Sequence, residues 1–107
     1  MPEGGTVNSN KDFLFIRKLY CSQNPKLSQL ILGNKPVLKQ LTCHGNKISS
    51  LDISGCSALT KLICSNNQIA SLDVSGLPDL KILNCSNNNI SKLNVKKNRY
   101  YSQLRCS

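Results

Sequence analysis

The 107-residue sequence lacks most of the residue types on which catalytic centres depend. It contains one histidine, no tryptophan and only 5 aspartates and glutamates together. General acid–base catalysis commonly uses paired carboxylates, but the single glutamate, Glu3, stands alone near the start of the chain. There is also no phosphate-binding glycine loop and no C-x-x-C pair of cysteines. We therefore predict a protein that is not an enzyme, with no catalytic residues, no metal ligands and no cofactor.

Long apolar runs are also missing. No stretch of about 18 apolar residues occurs, so no insertion into a membrane is expected. The opening residues, MPEGGTVNSNKD, show neither the basic nor the apolar region of a signal peptide. As written, the chain is expected in the cytoplasm. If it is a piece of a longer exported protein, we expect it to be secreted or on the cell surface.

The charge is strongly one-sided. The 14 lysines and arginines outnumber the 5 acidic residues and leave a net charge of +9, which favours anionic partners in general. The length is that of one domain with a modest core.

Cysteine, by contrast, is abundant and regularly spaced. Five of the six cysteines follow one another at intervals of 22, 21, 21 and 21 residues. A fixed period of this size indicates a stack of repeated structural units. The five positions are Cys21, Cys43, Cys64, Cys85 and Cys106.

The repeat itself reads L-x-x-L-x-C-x-x-N-x-I-x-x-L-x-V. Three regular units occupy residues 38–58, 59–79 and 80–100. A degenerate copy with one extra residue precedes them at 16–37, and a stub follows at 101–107. The pattern closely resembles a leucine-rich repeat. Because the second half of each unit echoes the first, it is similar to the short 21-residue bacterial class described as IRREKO-like or internalin-like.

This resemblance implies a mainly β solenoid of leucine-rich repeats. We expect parallel strands stacked in about four and a half coils of 21–22 residues, two narrow sheets and little regular helix. The expected organisation is an N-terminal tail or cap at 1–15 and a leucine-rich-repeat domain at 16–107. In each first-half strand, alternation points Leu62 and Cys64 inward and Ile63 outward.

Asparagines recur three residues after the cysteines, where the chain must turn inside the stack. An amide side chain can satisfy both backbone N–H and C=O groups there, so the sequence predicts an asparagine ladder. Glycines are expected to provide positive φ at the opposite corner, and Phe13 and Phe15 to fold over the first coil. The asparagines are Asn24, Asn46, Asn67 and Asn88, and the glycines are Gly33, Gly55 and Gly76.

The cysteines admit three interpretations. A zinc site needs ligands that converge on one point, which a straight column does not provide. Disulfides between neighbouring coils are permitted by a strand spacing of about 4.8 Å, although parallel side chains do not readily reach the required dihedral angle. The favoured interpretation is a column of buried free thiols that act as small apolar side chains. Cys56, which lies outside the column, is predicted to be the more reactive thiol.

Histidine chemistry is disfavoured by the same alternation. His44 directly follows Cys43, so the two side chains point to opposite faces and cannot form a dyad. Its outward column contains serines but no carboxylate to orient the imidazole.

The outward face of the L-x-x-L-x-C strands is the predicted binding site, and its expected partner is a protein. Its residues change from coil to coil while the core does not, and apolar side chains stand among polar ones, as in protein interfaces. The competing interpretation is that parallel strands simply favour β-branched residues. The predicted residues are Lys18, Tyr20, Thr42, His44, Lys61, Ile63, Ile82, Asn84 and Arg105.

Two other functions stay open. The basic C-terminal end could bind a polyanion, although nucleic acid is disfavoured because no basic and aromatic motif accompanies the charge. The chain could also be a structural spacer or a fragment of a larger surface protein. The last, incomplete repeat presents an open strand edge, which predicts possible end-to-end self-association.

Overall fold

The computed structural model describes residues 15–94, together with the backbone of short strands at 6–8 and 103–105. The described parts contain ten strands of three residues each and no helix, so none of them offers a helix that could cross a membrane. The strands are β1 (Thr6–Asn8), β2 (Lys18–Tyr20), β3 (Gln29–Ile31), β4 (Gln40–Thr42), β5 (Ser50–Asp52), β6 (Lys61–Ile63), β7 (Ser71–Asp73), β8 (Ile82–Asn84), β9 (Lys92–Asn94) and β10 (Gln103–Arg105).

The first halves of the coils form one continuous parallel sheet in the order β10-β8-β6-β4-β2. Its register pairs equivalent repeat positions, so Leu41 lies opposite Leu62 and Leu62 opposite Leu83. These leucines are fully buried, as period-2 alternation predicts. The predicted β solenoid of leucine-rich repeats is confirmed.

The second halves form two smaller parallel sheets rather than one. The first has the order β1-β3-β5, and the second pairs β7 with β9. The gap falls between β5 and β7, where continued register would set Asp52 directly opposite Asp73. The pairing of β1 with β3 also adds a strand from the predicted 1–15 segment to this side of the stack.

The core consists of inward columns that run through the coils. Burying one leucine or isoleucine contributes about 1.5–3 kcal/mol, but only neighbouring coils can cover these side chains. The last described coil is less covered, since Ile90 and Leu93 are only partly buried. The fully buried apolar side chains include Leu27, Leu38, Leu41, Ile48, Leu59, Leu62, Ile69, Val74 and Leu83.

One inward column contains a lysine. Lys35, Cys56 and Leu77 occupy equivalent repeat positions, and Lys35 is as fully buried as Cys56. In the next two coils the backbone N–H of this position donates to the carbonyl three residues earlier, whereas the N–H of Lys35 donates to Gly55. The Lys35 ammonium takes over that bond and donates to the carbonyl of Leu32 at 2.7 Å.

The asparagine ladder joins adjacent coils through backbone groups. Nδ2 of Asn67 donates to the carbonyls of Cys43 and Cys64, in the preceding coil and in its own. Its Oδ1 accepts from the N–H of Ile48 at 3.1 Å. Asn88 repeats the arrangement one coil later. The predicted asparagine ladder therefore forms, and its side-chain amides bond to backbone groups of adjacent coils.

Positive φ occurs mainly at a position that the sequence analysis did not identify. The residue before each ladder asparagine is left-handed, with φ between 57° and 74°. These residues are Gln23, Gly45, Asn66 and Asn87. Of the three glycines predicted to have positive φ, only Gly33 does (64°). The prediction is wrong for Gly55 and Gly76; at Gly55 the requirement is space, since an added Cβ would overlap the carbonyl of Gly33.

Four cysteines are buried free thiols, and these are Cys21, Cys43, Cys56 and Cys64. Burial raises the pKa of Cys64 to about 12 and holds the pKa of Cys43 well above its ordinary value. Cys85 differs, because it is disulfide-bonded. The free-thiol interpretation is therefore wrong at Cys85.

Two further expectations about single residues fail. Cys56 is fully buried, so its side chain is not an accessible loop thiol. Phe15 is 79% exposed and does not cover the first coil, where Ile16 and Leu19 are partly buried instead. Phe13 and Cys106 lie outside the described residues.

Candidate protein-binding face

The first sheet holds most of the predicted site residues in two outward columns. One column runs Lys18–Gln40–Lys61–Ile82, and the other runs Tyr20–Thr42–Ile63–Asn84, each set by the strand register. The leucine between the columns on each strand points inward, which forces its neighbours outward. The side chain of Arg105 lies outside the described residues, although its backbone pairs with Asn84.

Apolar side chains occupy part of this face. Tyr20 is 64% exposed on the edge strand β2. Ile63 and Ile82 are half-buried on the adjacent strands β6 and β8 and are diagonal neighbours in the register. Ile63 and Ile82 together form what we call the isoleucine patch, an apolar area that a partner could cover.

The C-terminal ends of the strands carry a third outward column, Ser22–His44–Ser65–Ser86. His44 is half-buried there, and Ser65 is buried. Oδ1 of Asn84 accepts hydrogen bonds from both the N–H and the hydroxyl of Ser86. These hydrogen bonds orient the side chains of Asn84 and Ser86. They include no carboxylate that could orient the imidazole of His44.

Sequence reasoning missed a fourth column on this face. It contains the residue before each strand, where the backbone ladder continues: Lys39 N–H donates to the Arg17 carbonyl at 2.8 Å, and Thr60 N–H donates to that of Lys39 at 2.8 Å. Arg17 and Lys39 are exposed. The available signal was their basic side-chain type at one repeat position, just before the strands begin. The column is Arg17, Lys39, Thr60 and Lys81.

Two of the three described carboxylates lie elsewhere. Asp52 and Asp73 end strands on the opposite side of the coil and are exposed. A hydrogen bond from the Ser54 backbone N–H, at 3.0 Å, is the main cause that lowers the pKa of Asp52. The hydroxyl of Ser75, which donates at 2.6 Å, is the main cause for the lowered pKa of Asp73. Both carboxylates therefore accept hydrogen bonds within the turns that follow their own strands.

The described residues contain no group of three or more histidine, cysteine, aspartate or glutamate side chains that could hold a metal ion. The outward face of the first sheet offers cations, amides and apolar groups to a partner.

Comparison with known proteins agrees with this geometry. Residues 57–98 match the family model of leucine-rich repeats in two copies. This match covers less than half of the chain, and the solenoid fold is similar to that of leucine-rich-repeat proteins. No curated protein matches the chain.

Among solved structures, the chain is similar to the functional domain of InlJ from Listeria monocytogenes, which includes a cysteine ladder. The TM-score is 0.80 at 27% sequence identity, over 90% of this chain but only 22% of the InlJ chain. The column of Cys21, Cys43, Cys64 and Cys85 is the corresponding feature here. The predicted bacterial, internalin-like class agrees with this similarity.

Proposed function

We propose that this chain is a non-catalytic module that binds a protein partner through the outward face of its first sheet. The observation that supports it most is the uninterrupted strand register, which gathers Tyr20, Ile63 and Ile82 among polar side chains on one rigid surface. Protein interfaces combine such apolar and aromatic anchors with a polar rim.

The alternatives have less support from the described residues. Of the basic residues toward the C-terminal end, the structure describes Lys81, just before β8, and Lys92, on β9. These two strands belong to different sheets, so the two lysines do not share one face. A structural spacer would not require a surface that combines apolar and basic side chains. End-to-end self-association through the last coil stays a prediction.

Two photo-crosslinker positions test the proposal. A photoreactive amino acid at Ile63 should capture a protein from an extract of the source organism, and the same group at exposed Ser71, on β7, should not. The captured partner is then purified for direct binding measurements.

The variant Ile63→Glu/Ile82→Glu places charges in the isoleucine patch and should weaken binding of that partner by about tenfold or more. The matched control, Ser50→Glu/Ser71→Glu, adds the same charges to exposed positions of the second sheets and should bind as the wild type does. Equal binding by both variants would refute this face as the binding site.

A further inference from the structure

A strip of cationic side chains runs across three coils at the N-terminal ends of the strands of the first sheet. The strip consists of Arg17 and Lys18 in the first described coil, Lys39 in the next and Lys61 in the third. Arg17, Lys18 and Lys39 are exposed, and Lys61 is half-buried. We call this set the basic strip.

Backbone contacts fix the spacing of the strip. Lys39 N–H donates to the Arg17 carbonyl, and the N–H of Lys61 donates to the Lys39 carbonyl at 3.1 Å. Successive coils are about 4.8 Å apart, so the four charges lie within about 10 Å along the solenoid axis. This is the reach of a few residues of an extended peptide.

No carboxylate lies on the described strands that carry the strip. Asp52 and Asp73 belong to the second sheets, and both accept hydrogen bonds within their own turns. Asp79 stands at the end of the same repeat as Lys61, in the loop before β8. The charge of the strip therefore faces solvent, where it can attract an anionic group.

The residues beside the basic strip favour some kinds of anionic partner over others. Lys61 lies directly opposite Ile82 in the strand register, and Ile63 lies on the same strand as Lys61. Polyphosphate has no apolar group to cover these isoleucines. A single-stranded nucleic acid would use several aromatic side chains for stacking, but Tyr20 is the one aromatic residue among the described outward columns.

We infer that the basic strip and the isoleucine patch together bind an acidic protein segment that also carries an apolar anchor. This inference rests on the proposed function and specifies its partner. Carboxylates of the segment contact Arg17, Lys18, Lys39 and Lys61, while a leucine- or phenylalanine-like side chain covers Ile63 and Ile82. The charges guide association, and the anchor supplies apolar burial.

Fluorescence anisotropy with four probes tests the inference on the full chain. The probes are a glutamate-rich peptide with interspersed leucines, an all-glutamate peptide of the same length, polyphosphate and single-stranded DNA. The mixed peptide should bind about fivefold or more tightly than the all-glutamate peptide, because only the mixed peptide covers the isoleucines. Tighter binding of polyphosphate or DNA than of the mixed peptide would instead assign a general polyanion site and overturn the inference.

Charge reversal identifies the surface. Lys39→Glu/Lys61→Glu should weaken the mixed peptide by about tenfold. The matched control, Lys26→Glu/Lys47→Glu, changes the net charge equally in the turns at the other end of the strands and should weaken it less than about twofold. Equal losses would show that only net charge matters, which overturns the inference.

The partner captured at Ile63 separates the two proposals. If that partner loses affinity with Ile63→Glu/Ile82→Glu but not with Lys39→Glu/Lys61→Glu, the binding face stands and the acidic-segment inference fails. If capture at Ile63 does not exceed capture at Ser71, the proposed function itself fails.

Discussion

Nδ2 of Asn67 donates a 3.0 Å hydrogen bond to the carbonyl oxygen of Cys43, which lies 24 residues earlier in the chain. The same amide group donates to the carbonyls of Cys64 and Ser65 in its own coil, and its Oδ1 accepts from Ile48. One buried side chain thus connects two coils. The repeat depends on such bonds because the turn removes these backbone groups from the sheets.

Asn67→Ala should destabilise the protein by about 3 kcal/mol, since buried backbone groups lose their partners and water cannot replace them. Gln68→Ala, at the exposed next position, should change stability by less than about 0.5 kcal/mol. Urea denaturation followed by circular dichroism measures both. Comparable effects of the two substitutions would contradict the assigned role of Asn67.

Two glycines at equivalent repeat positions should respond in opposite ways to alanine. A Cβ at Gly55 would overlap the carbonyl of Gly33 and lie 3.1 Å from Cα of Asn34, whereas a Cβ at Gly76 meets nothing within 4 Å. Gly55→Ala should therefore cost about 2–3 kcal/mol, because backbone atoms must move. Gly76→Ala should be neutral or stabilise by up to about 1 kcal/mol through the unfolded state. Thermal unfolding of both variants tests the close approach at Gly55. Equal melting temperatures for the two variants would contradict it.

The free thiols should be inert in the native protein. Burial raises the pKa of Cys21 and Cys56 to about 11 and that of Cys64 to about 12. At pH 8 about one thiol in a thousand or fewer would be ionised, and the fully buried ones also lack access to reagent. Mass spectrometry after alkylation should show slow modification that becomes fast in guanidinium, with Cys85 modified only after reduction. Rapid labelling of native Cys56 would contradict its burial.

The acid stability should depend on Asp52 and Asp73. Their turn hydrogen bonds lower the pKa of both carboxyls below the ordinary value of 3.8. A lowered folded-state pKa stabilises the protein above the unfolded-state value, and this contribution is lost as the pH falls through the folded-state pKa. Asp52→Asn/Asp73→Asn should therefore flatten the fall in unfolding free energy below about pH 4. Urea titrations at several pH values measure the slope, and an unchanged slope would count against these hydrogen bonds in solution.

The repeat register and the asparagine ladder could be predicted because both follow from local periodicity. A 21-residue period forces equivalent residues into columns, and alternation assigns each strand residue to the inside or the outside. Thus Leu62, Ile63 and Asn67 are where the sequence places them. The two predicted outward columns of the candidate face follow from the same rule.

Other features depend on contacts between coils, which no single repeat specifies. Lys35 is buried because its N–H bonds to Gly55 and its ammonium replaces that donor at Leu32. The break between β5 and β7 separates two coils whose repeats follow the same pattern. Arg17 and Lys39 line up beside the candidate face because backbone hydrogen bonds between coils continue one residue before the strands. The sequence alone determined which residues share a column, since the period is local. Only the tertiary structure decided the distances and backbone partners between coils, on which burial, turn geometry and the disulfide at Cys85 depend.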